Sequence, residues 1–359
     1  MIAPETVRHI HTLLVLTLDP RQAHAAVEHV AGLNQQERVR FLKLADSHHV
    51  VIRALEPLRI AAGALGRFEV TDWAQSCLAA ERVRINEALE LLDPICRALG
   101  ALGCPVTVFK SLDHWPDLGR DLDLYTNVDM ESVRRMLQDQ FGARLQPRSL
   151  GDCLAGKSTF DIPALGKALE IHSRRLGQAG EHRALANRIA KRRVPKEVNG
   201  HTFSVPAPEE RVIAATLQRM YRHLFFRVCD FVNTTLLVEE LTINYQELRA
   251  AADLGGIWHG VATFLTIVSD YVRAYRRKDL GLPPEVVSSA LFGAGKLVLR
   301  GGFFRFPVAL EGTSLYALQA VSAVRRGDVS ATVRLGLLPP LVALAALTYK
   351  ITGSSKRIW

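Results

Sequence analysis

The sequence predicts an α+β protein in which a small α/β core lies between two helical regions. Outside the middle of the chain, apolar residues recur at three- and four-residue spacing, which is typical of amphipathic helices. In the middle, short segments are rich in β-branched residues or alternate with period two, which is typical of strands. We therefore expect residues 1–100 to be helical, residues 101–204 to form the α/β core, and residues 205–359 to be helical again.

The N-terminal hundred residues carry a clear helical pattern, for example in AHAAVEHVAGL and ERVRINEALELLDPICRAL. Gly100, Gly103 and Pro105 then interrupt it, because glycine and proline end regular helices. The apolar run Leu13–Leu18 has no small-residue cleavage site after it, so we do not expect a signal peptide.

The middle region contains three strand candidates and one helix candidate. Pro105–Lys110 (PVTVFK) is short and β-branched, whereas DLDLY (Asp121–Tyr125) and KALEIHSR (Lys167–Arg174) alternate with period two. Between the last two segments, Met130–Phe141 has the apolar spacing of an amphipathic helix.

In the C-terminal region, Pro206 and Pro208 followed by Glu209 and Glu210 predict a helix start, since proline and acidic residues are favourable in a first helical turn. Further along, His223, Arg227 and Asp230 have the i, i+4, i+7 spacing that would set them on one helix face. Such a face would contact a nucleotide base or form a buried ion pair that docks the helical region.

The apolar segment Leu335–Tyr349 is uncharged but only 15 residues long and contains two prolines. A spanning helix needs roughly 20 residues. We expect a buried C-terminal helix here. The alternative is peripheral membrane contact through this segment, helped by the basic residues of the KRIW tail.

Composition limits the classes of function. With 45 Lys and Arg against 36 Asp and Glu, the net charge is +9, which favours a polyanionic partner such as nucleotide phosphate, nucleic acid or an anionic lipid surface. The five cysteines are scattered without the spacing of a zinc site, so we expect reduced thiols and a cytoplasmic protein. The twelve histidines include no H-E-x-x-H, and the pair His48 and His49 is interpreted as surface or core histidines.

The acidic pair Asp121 and Asp123 is the centre of the functional prediction. Residues two apart on a strand point to the same face, so both carboxylates would project together and could hold a divalent cation. Magnesium suits such a site, because it takes oxygen ligands and bridges carboxylates to phosphates. On the strand KALEIHSR, Glu170 shares a face with His172. If the two strands are neighbours, Asp121, Asp123 and Glu170 converge into a two-metal site.

Lys110 and Ser111 follow the first strand candidate, where a strand turns into a helix or loop. Backbone N–H groups at such a turn commonly bind phosphate. The order is therefore strand, phosphate loop, a gap of roughly ten residues, paired Asp, helix, strands and a third carboxylate.

This order resembles the DNA polymerase β-like nucleotidyltransferase superfamily. The motifs resemble one branch of it, a group of uncharacterised bacterial nucleotidyltransferase-family proteins. The matching motifs run in order along the chain: FKS (Phe109–Ser111), Arg120, DLDLY, LEIHSR (Leu169–Arg174), VPAPE (Val205–Glu209) and HLFFRVCDFV (His223–Val232).

The resemblance implies a small mixed-sheet core between helical regions, two Mg²⁺ ions and an NTP substrate. By position, Asp121 and Asp123 would bind the metals, and Glu170 would be the third carboxylate and the base. Lys110 and Ser111 would contact the triphosphate. Further contacts to phosphate, metal or substrate would come from Arg120, His172 and Arg174.

The acceptor is not identified by sequence; a small molecule, a peptide, a protein side chain and a tRNA end all fit.

Three other interpretations remain open. Gly151–Ser158 (GDCLAGKS) matches the phosphate-loop pattern of ATPases literally, although the segment after it does not resemble a helix. An Asp-x-Asp pair also occurs in manganese-dependent glycosyltransferases. Finally, a nucleotidyltransferase fold can lose its chemistry and serve as a binding module.

Overall fold

The computed structural model describes residues 4–119, 121–163, 168–241 and 243–352. Residues 351 and 352 are described by their backbone alone. The protein is α+β, as predicted, with a five-stranded mixed sheet among a larger number of helices.

Five helices precede the sheet. They are α1 (Pro4–Leu18), α2 (Ala23–Ala31), α3 (Gln35–Ser47), α4 (Val51–Ala64) and α5 (Phe68–Ala101). Their apolar faces pack into the main core, where Leu13, Leu55 and Leu92 are fully buried. The apolar run Leu13–Leu18 is thus part of a buried helix face.

The central region contains the sheet. Its elements are β1 (Val106–Val108), β2 (Leu122–Thr126), α6 (Met130–Phe141), β3 (Arg144–Leu145), α7 (Leu150–Ala155), β4 (Lys157–Asp161), β5 (Ala168–Ser173), α8 (Arg183–Lys191), β6 (Arg193–Val198) and β7 (His201–Pro206). The strand order is β1-β2-β5-β4-β3, in which β2 and β5 are parallel and the other pairs are antiparallel. The strands β6 and β7 form a separate hairpin, and β7 crosses the domain boundary expected at residue 204.

Helix α6 has the bounds that the sequence predicts. The Asp129 side chain accepts hydrogen bonds from the first-turn N–H groups, and Gly142 ends the helix with a φ of 62°. Val133, Met136 and Leu137 form its buried face. Both ends are specified locally, because an acidic N-cap and a left-handed glycine satisfy groups that the helix leaves unpaired.

Seven α-helices and three β-strands follow among the described residues of the C-terminal region. They are α9 (Pro208–Thr216), β8 (Phe225–Phe226), α10 (Val228–Glu240), α11 (Tyr245–Gly255), α12 (Trp258–Arg276), α13 (Pro284–Ser289), β9 (Val298–Arg300), β10 (Phe303–Arg305), α14 (Thr313–Arg325) and α15 (Val329–Thr352). The predicted helix start is confirmed, since α9 begins at Pro208 with Glu209 and Glu210 in its first turn, whereas Pro206 is the last residue of β7. The region is not purely helical, because β8, β10 and β9 form a small antiparallel sheet.

The predicted helix face of His223, Arg227 and Asp230 is wrong. A π-helical segment ends at His223, Leu224 adopts a left-handed φ of 57°, and β8 then separates it from α10. Arg227 is the N-cap of α10. Asp230 does form a buried ion pair, but its partner is Arg219, whose Nε lies 2.8 Å from Asp230 Oδ2. The strand β8 forms because it pairs with β10, which local helical spacing does not reveal.

The expectation of a buried helix at Leu335–Tyr349 is also wrong. Helix α15 is 24 residues long and includes both Pro339 and Pro340. Its window Val329–Lys350 has a mean hydropathy of 1.6, and only 28% of that window is buried. Among the described residues this is the one helix long and apolar enough, by length and composition, to cross a membrane.

Candidate metal centre

The parallel pairing of β2 with β5 brings the predicted carboxylates together. Asp123 lies directly opposite Glu170 in the register, and His172 follows two residues later on the same strand face. The ligand atoms of Asp123, Glu170 and His172 all lie within 4.8 Å of one another. These three side chains could hold a metal ion.

Asp123 is held by two cationic or donor groups at one carboxylate oxygen. Lys110 Nζ lies 2.7 Å from Asp123 Oδ1, and His172 Nε2 lies 2.9 Å from the same atom. The backbone N–H of Asp123 donates to Ser111 Oγ at 2.7 Å. Burial alone would raise the pKa of Asp123, but the Lys110 charge and the His172 hydrogen bond hold this pKa well below its usual range. Asp123 is therefore an anion at neutral pH.

Glu170 is paired with a lysine from the neighbouring strand β4. Lys157 Nζ lies 2.6 Å from Glu170 Oε1 and 3.8 Å from Asp152 Oδ1. On its other side, Glu170 Oε2 is 3.9 Å from His172 Nε2. Burial, followed by the charge of Lys110, lowers the pKa of His172. A neutral imidazole can donate a hydrogen bond to Asp123 without adding a positive charge that would oppose a bound cation.

Asp121 precedes β2 and lines the same cleft. The residue as a whole is exposed. Desolvation of its carboxyl group, followed by the negative charges of Glu170 and Asp123, raises the pKa of Asp121. Three carboxylates whose charges repel one another favour a bound cation, which would relieve the repulsion.

The carboxylates open into a cleft of about 270 Å³ that also contains four cationic side chains. Lys110 and Lys157 come from the sheet region, and Arg222 and Arg227 come from the segments around β8. Carboxylates at one wall and cations around them suit an anionic ligand that carries a metal ion. The full lining is His49, Lys110, Ser111, His114, Gly119, Asp121, Asp123, Lys157, Glu170, Gln218, Arg222, His223 and Arg227.

A scan against protein-family models and a search of curated proteins find no match to this chain. The interpretation of the cleft therefore depends on its geometry and on the motif order.

The turn after β1 is built as the sequence predicts. Lys110 has a φ of 71°, and a 3₁₀ turn, Ser111–His114, follows it. A left-handed lysine is strained, and such strain persists where the surrounding contacts require it. Here the turn points the Lys110 ammonium at Asp123. Ser111 is buried and lines the cleft, but its hydroxyl oxygen already accepts a hydrogen bond from β2.

Two of the predicted site residues that the structure describes, His172 and Arg174, are not among the residues that line the cleft. His172 is buried and contacts Asp123 at 2.9 Å. Arg174 is exposed and has a φ of 61° just beyond β5. Arg120 lies outside the described residues.

Sequence reasoning missed several lining residues, above all His49 and His114. Their rings lie 4.9 Å apart, and Arg227 Nη1 lies 2.7 Å from His49 Nε2. The neighbouring His48 is fully buried, as one of the two interpretations of this pair expected. No local pattern distinguishes His49 from His48, because their contacts are with distant residues: His48 accepts a hydrogen bond from the backbone N–H of Val228 in α10, and His49 contacts Arg227, the N-cap of that helix.

The literal phosphate-loop match Gly151–Ser158 does not have the structure that the pattern requires. Helix α7 comes first, Gly156 ends it with a φ of 67°, and strand β4 follows. An ATPase phosphate loop needs the reverse order, strand then loop then helix. Lys157 nevertheless reaches the cleft, because β4 pairs with β5 beside Glu170.

A larger groove of about 820 Å³ lies between α1 and α2, and it shares no lining residue with the cleft. Its lining includes Glu5, Glu28 and Glu37 but no lysine. Among the described residues, the acidic and histidine side chains of this groove do not form a group close enough to hold a metal ion.

Proposed function

We propose that this chain is a metal-dependent nucleotidyltransferase of the polymerase β-like fold. It would transfer a nucleoside monophosphate from an NTP to an acceptor and release pyrophosphate. The observation that carries the proposal is the register pair of Asp123 and Glu170 on adjacent parallel strands. Asp121 and the Lys110 turn lie in the same cleft, in the order in which that superfamily carries its motifs.

The donor set fits magnesium. Asp121, Asp123 and Glu170 offer carboxylate oxygens, which Mg²⁺ prefers. His172 then serves as a positioning residue, since its Nε2 contacts Asp123 Oδ1 at 2.9 Å and fixes the carboxylate orientation. Two Mg²⁺ ions, when bound, would neutralise the phosphates and lower the pKa of the attacking group.

The residues of the chain account for the remaining steps. An acceptor oxygen attacks the α-phosphorus, the bond from that phosphorus to the β-phosphate oxygen breaks, and pyrophosphate leaves with the electron pair. Glu170 accepts the proton of the acceptor. Lys110, Arg222 and Arg227 hold the phosphate charges, and Lys157 joins them when it leaves Glu170. Most of the rate enhancement comes from positioning and charge stabilisation.

One observation favours a second candidate, a nucleotidyltransferase-like module that binds without chemistry. Asp123 and Glu170 each form an ion pair with a lysine, at 2.7 Å and 2.6 Å. Two lysines can neutralise two carboxylates, and the cleft would then bind an anion without catalysing transfer.

Calorimetry with each of the four NTPs, with and without Mg²⁺, tests the first proposal. The wild type should bind one or more NTPs only when Mg²⁺ is present, and Asp123→Asn should abolish this binding. Asp139→Asn is the matched control, because Asp139 is an exposed residue of α6 outside the cleft. Metal-independent binding that survives Asp123→Asn would refute the metal site.

Glu170→Gln separates the enzyme from the binding module. The variant keeps the shape of the side chain but cannot accept a proton. Pyrophosphate release in the presence of pooled acceptors should fall about 100-fold or more, whereas NTP binding should persist. A wild type that binds Mg²⁺·NTP but releases no pyrophosphate with any acceptor pool would support the binding module instead.

The acceptor pools should cover small metabolites, peptides, proteins and tRNA. The net charge of +9 favours an acceptor with phosphate groups, and tRNA is the largest of these. We propose that the reaction takes place in the cytoplasm, where NTPs are available and the five cysteines remain reduced.

A further inference from the structure

The last two helices form a hairpin in which α15 buries only one narrow stripe. Its buried residues are Ala331, Leu335, Leu338 and Ala345, which recur at spacings of four, three and seven. The Tyr316 hydroxyl of α14 donates to Leu335 O at 2.7 Å. This stripe is the face on which α15 packs against the protein.

The remaining faces of α15 are apolar and exposed. Among the described residues, 27 large apolar side chains are exposed, and twelve of these lie between Val308 and Tyr349. Isolated exposed apolar residues are normal, but a concentration of this kind marks an interaction surface. The twelve are Val308, Leu310, Leu318, Val321, Val324, Val329, Val333, Leu337, Val342, Leu344, Leu347 and Tyr349.

Helix α15 differs both from the core helix of a soluble protein and from a signal sequence. A core helix is mostly buried, whereas only 28% of the Val329–Lys350 window is buried. A signal sequence lies near the N-terminus, whereas this helix lies near the other end of the chain. A helix that is apolar all round needs an apolar environment on all sides. One partner helix would cover a single further stripe, but a bilayer covers the whole outer surface.

Charge at both ends of the hairpin supports lipid over a protein partner. Arg325 and Arg326 lie at the turn between the helices, and Tyr349 and Lys350 lie near the end of α15. In the sequence, Lys356 and Arg357 follow shortly afterwards. Tyrosine and basic residues beside an apolar helix are typical of the membrane interface, where anionic headgroups attract them.

We propose that the α14–α15 hairpin docks this protein onto an anionic lipid bilayer, with α15 lying in the interface and not spanning it. Arg334 Nη1 donates to Leu154 O at 2.9 Å and to Ala179 O at 2.6 Å, which ties the first half of α15 to the sheet domain. The part of α15 beyond Ala345, the last residue of the buried stripe, is residues 346–352 and is about 10 Å long. This is short of the hydrocarbon thickness of about 30 Å.

Vesicle flotation of the full chain tests the proposal. The probes are phosphatidylcholine vesicles with and without phosphatidylglycerol. The wild type should float with the anionic vesicles and bind the neutral ones less tightly. Leu344→Asp with Leu347→Asp should weaken binding at least about tenfold, since each Leu side chain loses its burial in lipid. Both residues are exposed, at 47% and 56%, so the fold should be unaffected.

The matched control is Ile60→Asp with Val83→Asp, which changes two helix residues of similar exposure, 59% and 57%, outside the hairpin. It adds the same charge and should bind lipid like the wild type. If the double aspartate substitution in the hairpin lowers the unfolding temperature, Leu344→Ser with Leu347→Ser provides a milder variant with the same expected direction.

Three outcomes would overturn the proposal. The wild type could fail to float with either vesicle, or the hairpin variant could float as well as the wild type. In the third outcome, the wild type would not bind lipid and would sediment as a dimer, whereas the hairpin variant would sediment as a monomer. A second copy of the chain would then cover the surface. None of these outcomes depends on the proposed activity, because NTP binding is measured separately.

Discussion

Replacing Lys157 with Met should tighten Mg²⁺ binding and weaken NTP binding at the same time. Lys157 Nζ lies 2.6 Å from Glu170 Oε1, and its side chain is only 12% exposed. An Mg²⁺ ion on Glu170 would lie about 2.1 Å from a carboxylate oxygen. An ammonium that stayed in place would therefore be at most about 4.7 Å from an ion on that same oxygen.

The size of the effect follows from this distance. At an effective dielectric constant of about 20, a +1 and a +2 charge about 4.7 Å apart repel by about 7 kcal/mol. A flexible lysine avoids this repulsion by moving away, so the free energy that opposes metal binding is the loss of its ion pair with Glu170. For a mostly buried pair we expect this loss to be at least about 1.4 kcal/mol. Lys157→Met should thus lower the Kd for Mg²⁺ about tenfold or more.

Lys157→Met should weaken NTP binding, because the ammonium that leaves Glu170 is a phosphate ligand that Met cannot replace. Calorimetry with Mg²⁺ alone and then with Mg²⁺·NTP measures both effects. The control is Lys278→Met, which removes an exposed lysine that does not line the cleft. An unchanged or weaker Mg²⁺ affinity in a folded Lys157→Met protein would show that the cation does not bind beside Glu170.

Two further predictions concern stability. Asp230→Ala leaves buried Arg219 without its partner and should lower the free energy of unfolding by about 3 to 5 kcal/mol in urea, whereas the exposed control Asp253→Ala should change it by less than about 0.5 kcal/mol. Burial, followed by the charge of Arg211, lowers the pKa of Lys196 to about 8. The unfolded chain then binds the extra proton, so stability should rise by about 2 kcal/mol between pH 7.5 and 9.5 relative to Lys196→Met. Equal pH dependence in both proteins would contradict this shift.

The parts of the fold that sequence predicted are those specified over short stretches. Helix α6 has an N-cap at Asp129 and a left-handed glycine at Gly142, so its bounds are encoded within the helix and its two neighbours. The strands β2 and β5 alternate with period two, which determines the faces of Asp123 and Glu170 independently of how the strands pair.

The errors occurred where a distant contact outweighs the local pattern. Helical spacing continues past His223, yet Leu224 turns left-handed and β8 pairs with β10 about eighty residues later. In α15 the two prolines and the uncharged run predicted a short buried helix, but the helix extends in both directions and stays largely exposed. Burial depends on what packs against a segment, and periodicity contains no information about that partner.

The charge balance of the cleft likewise depends partly on local sequence and partly on tertiary contacts. Sequence placed the three carboxylates, whereas Lys157, Arg222 and Arg227 reach the cleft only through tertiary structure. The lining contains four cationic side chains from lysine and arginine against three carboxylates. Such a cleft binds a metal ion that arrives alone only weakly, because Lys110 and Lys157 already form ion pairs with Asp123 and Glu170. It attracts a metal–triphosphate complex, whose net negative charge is drawn to the same cations. We therefore expect Mg²⁺ to bind weakly by itself and tightly together with an NTP, so that the nucleotide brings its own metal into the cleft.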